Sequence, residues 1–367
     1  MARLLERLFF PLVMVSFVAL LLTGVSAHLE HKIVIQWAGA TFPAPLYARW
    51  IAFFEREHPN IVLEYHPIGS GGGIKSITGR KVLFGASDAL LNEAEVKALP
   101  GELLQIPMAL GPVVIAYNLP GYDQNITMTG DVISDIYLHK IIRWNNPRLQ
   151  ALNPDITLPD IPVRVTHRKD SSGTTFIFTD YLTTVSPAWK KSVGRGKKVF
   201  WPVSHGAGEG NDGVAQQILL QPGGIGYLEY KYAENAGLKY AQVVNREGKP
   251  VLPSIEGVQA AEKNTPPGPG TILKRSIVDA PGELSYPIAG FTYLLVYRDL
   301  SYLNDQETAV AMKEFLQWTL TSGQEEAAKL NYTPLPEKMR QNALELVQSI
   351  TGIDRHASNK SGGPDKE

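Results

Sequence analysis

Three short stretches carry hydroxyl groups among small residues or glycines: Ala40-Thr41-Phe42, Gly69-Ser70-Gly71-Gly72 and Ser172-Gly173-Thr174. Hydroxyls donate hydrogen bonds at short range, and glycine lets the backbone approach closely enough to present its own N–H. Such donors suit an anion, above all where each stretch opens a helix whose unpaired N–H groups and dipole favour negative charge. Arg168, just upstream of Ser172, adds an always-ionised fork that can grip an oxyanion, and Asp170 is spaced to pair with it. Each piece also has an ordinary reading. Thr41, Ser70 and Ser172 suit simple N-caps, and Arg168 with Asp170 suits a surface ion pair.

Asp88, in Phe84-Gly85-Ala86-Ser87-Asp88-Ala89, runs against this donor pattern. A carboxylate beside a bound anion is repulsive unless the ligand brings a proton for it to accept. Phosphate keeps such a proton at neutral pH and sulfate does not. One acid in a donor-rich crevice would therefore separate two tetrahedral anions of similar size. The alternative is a helix cap for the segment near Asn92. His167 and Lys169 alternate with Arg168 along an expected strand end and should face solvent.

Other chemistries find little support. Gly69-Ser70-Gly71-Gly72-Gly73-Ile74-Lys75-Ser76 approaches a phosphate-binding P-loop, but Ile74 occupies the place of the second glycine. Gly208-Glu209-Gly210-Asn211-Asp212-Gly213 satisfies the dinucleotide pattern, yet is expected in a loop outside any βαβ unit. No serine nucleophile elbow, zinc motif or calcium loop occurs. With no cysteine, the chain has no thiol catalysis, thiolate metal site, disulfide or lipid-modified N-terminal cysteine. Lys and Arg total 35 against 36 Asp and Glu, so no global field favours nucleic acid or an anionic membrane.

These residues need a scaffold, and 367 residues at 44% hydrophobic provide for about two domains of ~100–200 residues each. Short β-branched runs alternate with amphipathic stretches, the pattern of an α/β protein with mixed sheets. Strands are expected at 33–35, 61–65, 82–84, 162–166 and 291–297. Helices are expected at 43–58, with Leu46, Trp50, Phe53 and Phe54 on one face, and at 93–99, 176–182 and 306–318. The Pro- and Gly-rich residues 250–287 read as surface connections. Residues 1–27 read as a secretory signal, with Arg3, Glu6 and Arg7 before an apolar run and Val25-Ser26-Ala27 at its end. The alternative there is a retained anchor. Residues 356–367 hold almost nothing to bury and read as a disordered tail.

Six motifs in order then carry a resemblance: Gly39-Ala40-Thr41-Phe42-Pro43-Ala44-Pro45-Leu46-Tyr47, Ile68-Gly69-Ser70-Gly71-Gly72-Gly73, Phe84-Gly85-Ala86-Ser87-Asp88-Ala89, Asp170-Ser171-Ser172-Gly173-Thr174, Gly210-Asn211-Asp212-Gly213 and Gly224-Ile225-Gly226-Tyr227-Leu228-Glu229-Tyr230. From about residue 33 to 335 the chain resembles the phosphate-binding proteins of bacterial phosphate-specific ABC transporters. The resemblance implies a two-lobed periplasmic-binding-protein fold of type II, with mixed sheets flanked by helices and a ligand cleft between the lobes. Residues 28–113 plus 289–355 would form lobe I and 114–288 lobe II. It implies extracytoplasmic, high-affinity capture of inorganic phosphate by a monomer, delivered to the membrane permease and ATPase subunits of a transporter. No catalysis, cofactor or metal is implied. Thr41 and Phe42 would give a hydroxyl and backbone N–H groups, Ser70 would contribute likewise, and Asp88 would accept the ligand proton. Arg168, supported by Asp170, would supply the cationic fork, with Ser172, Gly173 and Thr174 completing the donors. Two departures stand out: Trp37 where the family often has glycine, and Ser171 in place of a common glycine. The rival reading is a secreted phosphate-ester hydrolase on the same anion cradle, which would need a nucleophile or metal pair beside it.

Overall fold

The computed structural model describes residues 32–266 and 275–352. The expected signal at 1–27 and tail at 356–367 lie outside the described residues. Strands β1 (Ile33–Gly39), β2 (Ile61–His66) and β3 (Phe84–Ser87) run parallel in the order β2-β1-β3, joined by crossover helices Ala44–Glu57 and Ser70–Thr78. Next comes β4 (Leu103–Asn118), a strand of 16 residues buried along almost its whole length. It is followed by β5 (Thr127–Met128), β6 (Arg164–Arg168), β7 (Gly206–Gly208), β8 (Gly224–Glu229), β9 (Lys239–Tyr240), β10 (Gln242–Val244), β11 (Pro250–Val251) and β12 (Ala289–Tyr297).

One strand serves both halves of the molecule. Residues Leu103 to Pro112 of β4 pair antiparallel with the returning β12, which also borders β3. From Val113 onward the partner becomes β8, itself parallel to β6, and β6 is parallel to β7. The path is β2-β1-β3-β12-β4-β8-β6-β7, with β9 also on β4, and a small separate sheet β11-β10-β5 lies apart. Strand ends from the two halves can therefore face each other across the middle of the molecule.

The core of the first half is built on packed aromatics. Helix Ala44–Glu57 buries Leu46, Tyr47, Trp50 and Phe54. Phe53, expected on that face, is only half-buried and lies under the guanidinium groups of Arg49 and Arg56, at 4.7 and 4.6 Å from the ring centre. Trp37 is fully buried, with its ring 5.2 Å from Phe315 and 5.4 Å from Tyr65. Its place in this core explains a bulky residue at that position, and truncating such a side chain costs about 3–5 kcal/mol. In the second half Phe178 stacks on Tyr227 at 4.3 Å, beside Tyr137 and Trp201.

Two expectations are corrected. Residues 250–287 are not merely surface connections: they include helix Ile255–Asn264, which buries Val258 and Ala261, and further on Ile277 and Tyr286 are also buried. The Tyr286 hydroxyl donates to Val113 O at 3.0 Å, where β4 changes partners. Pro and Gly at the segment's ends masked a short helix whose apolar residues recur at i, i+3. Similarly, Gly208 to Gly213 is not a free loop. β7 runs directly into helix Gly210–Leu219, which returns to β8, a βαβ arrangement. A Cβ on Gly208 would lie 2.2 Å from Gly213 C, so these glycines permit close strand–helix packing. Among the described residues no helix is long and apolar enough to cross a membrane.

Candidate anion site

The site is assembled at the ends of β1, β3 and β6 and the starts of the helices that follow. Gly39 ends β1 at φ +151°, where a Cβ would sit 2.0 Å from Ala86 O, so only glycine lets β1 and β3 come together here. The chain then turns through Thr41 and Phe42 into helix Ala44–Glu57. Gly69, at φ +81°, turns the chain into helix Ser70–Thr78 with Ser70 as its first residue. Asp88 follows the end of β3. From the other half, β6 ends on Arg168, and Ser172 caps helix Gly173–Val185 by accepting from Thr175 N at 3.1 Å.

All these groups converge on one buried crevice. Thr41, Ser70, Asp88, Arg168, Ser172 and Thr174 are each less than a tenth exposed. The halves touch at the glycine loops: Gly173 N donates to Ser70 Oγ at 3.0 Å and Gly71 N to Ser171 O at 2.9 Å. Ser171 therefore packs against Gly71 rather than displacing Ser172. Ser70 Oγ accepts a second backbone donor, Asp88 N, at 3.2 Å. With both lone pairs occupied, its own proton is directed outward. The backbone N–H groups of Thr41, Phe42 and Thr174 have no protein acceptor among the described residues and remain available.

Arg168 is no surface cation. Its Nε donates to Asp170 Oδ1 at 2.8 Å and its second nitrogen to Oδ2 at 2.5 Å, a bidentate pair with the guanidinium almost wholly buried. Gly210 N also donates to Asp170 Oδ1, at 3.2 Å. Burial opposes ionisation of Asp170, but the hydrogen bonds and charge of Arg168 hold its carboxyl below the usual range. The remaining guanidinium nitrogen points to Thr174 Oγ1 at 3.4 Å.

Asp88 is the opposite case. It is buried, and neither carboxyl oxygen meets a hydrogen-bond partner among the described residues. Burial pushes its pKa from 3.8 up to about 7, partly offset by the nearby hydroxyls of Thr292 and Ser70 and the charge of Arg168. The capping alternative fails, since Asn92 caps the following helix itself, in a reciprocal box with Glu95. A buried acceptor left open beside a ring of donors is what a proton-bearing anion requires.

His167 departs from its expected solvent-facing position: it is half-buried, stacked on Trp201 at 5.0 Å, with Nδ1 2.9 Å from Arg168 O, and burial lowers its pKa. Lys169 is exposed as expected. Residues not singled out complete the surroundings. Asn211, Glu229, Tyr232 and Tyr332 surround the Thr41–Phe42 turn, where the hydroxyls of Tyr232 and Tyr332 donate to Thr41 O and Phe42 O at 2.6 and 2.8 Å. Lys197 pairs with Glu95 at 2.6 Å while its carbonyl accepts Ser172 N at 2.8 Å. Two of these, Asn211 and Glu229, sit in the glycine motifs read above, but nothing in their spacing shows that they reach Thr41. Among the described residues no cluster of three or more acidic or histidine side chains could hold a metal.

A sheet shared between two halves by one strand, with donors from both enclosing a buried crevice, defines a two-lobed solute-binding protein of the type II periplasmic class. Residues 26–322 match the PBP superfamily domain. The chain is 39% identical over 312 residues to the phosphate-binding protein PstS of Pasteurella multocida, covering 84% of this chain and 88% of that protein. It is 37% identical over 336 residues to PstS of Methanocaldococcus jannaschii, covering 87% and 86%. A crystallised phosphate-binding protein from Stenotrophomonas maltophilia shares the fold at a TM-score of 0.66 and 20% identity, covering 85% of this chain and 93% of that one. The chain belongs to the PstS family of phosphate-binding proteins.

Proposed function

We propose that this protein captures inorganic phosphate outside the cytoplasm and delivers it to the permease and ATPase subunits of a phosphate ABC transporter. The two lobes, 28–113 with 289–355 and 114–288, close over one dehydrated ion. Thr41, Phe42, Ser70, Ser172 and Thr174 donate to its oxygens, Arg168 held by Asp170 neutralises its charge, and Asp88 accepts its proton. Gly173 N is already engaged with Ser70 Oγ, so Gly173 contributes chiefly by close approach. Export directed by residues 1–27, without a lipid-modified cysteine, accords with the sequence. The single observation that carries the reading is Asp88, a buried carboxyl with both oxygens open amid donors.

Capture rather than hydrolysis accords with membership of a family of phosphate-binding proteins. Titration calorimetry of the purified chain at pH 8, above the pKa of about 7 at which Asp88 ionises, tests the reading: tight binding of phosphate with sulfate a poor competitor is expected. Equal affinity for the two anions would remove Asp88 from its role, and absence of phosphate binding would overturn the function.

A further inference from the structure

Asn211 is fully buried on the first turn of helix Gly210–Leu219, and its amide reaches hydroxyls from both halves of the site. Its Nδ2 donates to Thr41 Oγ1 at 2.8 Å and lies 3.4 Å from Thr174 Oγ1. The orientation of the amide is fixed by the other end: Asn211 Oδ1 accepts Glu229 N at 3.0 Å, so the amino group must face the two threonines. Asn211 N adds a donor to Thr41 Oγ1 at 3.3 Å, and an Arg168 nitrogen adds one to Thr174 Oγ1 at 3.4 Å. Each threonine oxygen is thus met by two donors. A hydroxyl has two acceptor sites and one proton, so a threonine oxygen occupied twice as an acceptor has only donation left to offer. Among the described residues no protein acceptor takes either proton.

We infer that Asn211 is a positioning residue for anion capture: its amide saturates the Thr41 and Thr174 oxygens and thereby turns both hydroxyl protons toward the ligand. The inference rests on the phosphate-binding reading above and adds a coupling to it. Thr41 belongs to the first half of the molecule, whereas Asn211 and Thr174 belong to the second. The Thr41 hydroxyl is therefore set as a donor only when the halves come together, and the cage acquires its full polarity on closure. An open form leaves Thr41 free to rotate and to donate to water, so ligand oxygens would meet a less ordered donor. Ser70 obeys the same rule through the backbone amides of Asp88 and Gly173. Asn211 extends it to the threonines with a side chain, which makes it accessible to substitution.

The test is a double-mutant cycle read by calorimetry with inorganic phosphate at pH 8, using Thr41→Val, Asn211→Ala and the pair, with thermal midpoints recorded without ligand. Asn211→Ala should weaken phosphate binding about tenfold in the wild-type background but less than about threefold in Thr41→Val, because its main target hydroxyl is gone. In a Thr41→Ser background, which restores the hydroxyl, the tenfold loss should return. Equal losses in the Thr41→Val and wild-type backgrounds would overturn the inference while leaving the phosphate reading intact. Wild-type protein that binds no phosphate would overturn the reading itself, and the inference with it. Should Asn211→Ala fold poorly, Asn211→Asp keeps the volume and exchanges a donor for an acceptor. It should cost more than about tenfold, and any smaller loss would overturn the inference.

Discussion

The amide of Gly173 reaches across the cleft to the hydroxyl of Ser70, 3.0 Å away, and no side chain fits between the two loops. A Cβ on Gly173 would lie 2.5 Å from both Ser70 Oγ and the Asp88 Cβ, and 2.6 Å from Asp88 Oδ2. The glycine motif thus serves closure between halves as well as the helix start it opens. The same contact spends Gly173 N on the protein, so a loop rich in ligand donors also acts as the fastening between lobes.

Gly173→Ala should therefore prevent full closure while leaving each lobe folded. The expected outcome is a loss of phosphate affinity of about a hundredfold or more, the scale of excluding one or two strong contacts of ~1.5–3 kcal/mol each. The thermal midpoint without ligand should change little. Small-angle scattering with saturating phosphate should show a wider molecule than wild type.

Asp88→Asn separates selectivity from stability. The amide can donate where the acid accepted, so phosphate binding should fall and sulfate binding should rise in competitive calorimetry. Folded wild-type protein holds the Asp88 proton between about pH 3.8 and 7, while the unfolded chain releases it. Its stability without ligand therefore decreases as pH rises through that window. Asp88→Asn lacks this term. The variant should gain on wild type by about 4 kcal/mol between pH 4 and 8, as measured by urea unfolding.

Arg168→Ala removes the cation and leaves Asp170 buried beside it, since the Asp170 side chain is only 12% exposed. Loss of phosphate affinity on the order of 2–5 kcal/mol is expected, as for desolvated charge pairs. Arg168→Lys should not restore binding, because one ammonium cannot clasp Asp170 by two parallel bonds and still face the ligand. Affinities that match wild type in either variant would return Arg168 to a peripheral role.

Glu229 offers a separate pH signature. The Tyr332 hydroxyl lies 2.8 Å from Phe42 O and 3.1 Å from Glu229 Oε2, and its single proton serves one of them. With the carbonyl served, a protonated Glu229 completes the second contact by donating. Burial pushes its pKa from 4.5 up to about 8, opposed by the Lys231 amide and charge and by Tyr332, and reinforced by Asp88. Wild-type stability should accordingly fall as pH rises from about 4.5 to 8, the window in which folded protein keeps a proton the unfolded chain loses. Glu229→Gln should match wild type near pH 5 and exceed it by pH 9 in thermal unfolding. A difference independent of pH would show that Glu229 is ionised throughout.

Local chemistry was legible in the chain because it depends on neighbours in sequence. Strand–loop–helix units, the hydroxyl and glycine loops at helix starts, the Arg168–Asp170 pair and the anomalous acid Asp88 all follow from residue type and short spacing. Phe53 was misplaced because helical periodicity resolves a face no better than one position, and arginines on either side cover its ring. The helix Ile255–Asn264 was hidden by prolines and glycines near both its ends. What tertiary structure alone decided is how residues far apart meet. Asn211 reaches Thr41 across 170 positions and Tyr332 reaches Phe42 across 290, distances over which sequence spacing carries no geometric information. The hydroxyls were evident as candidate donors from the chain. Which way the protons of Thr41 and Ser70 turn depends on amides that arrive from the other half, because a shared hydrogen-bond network is satisfied only in three dimensions.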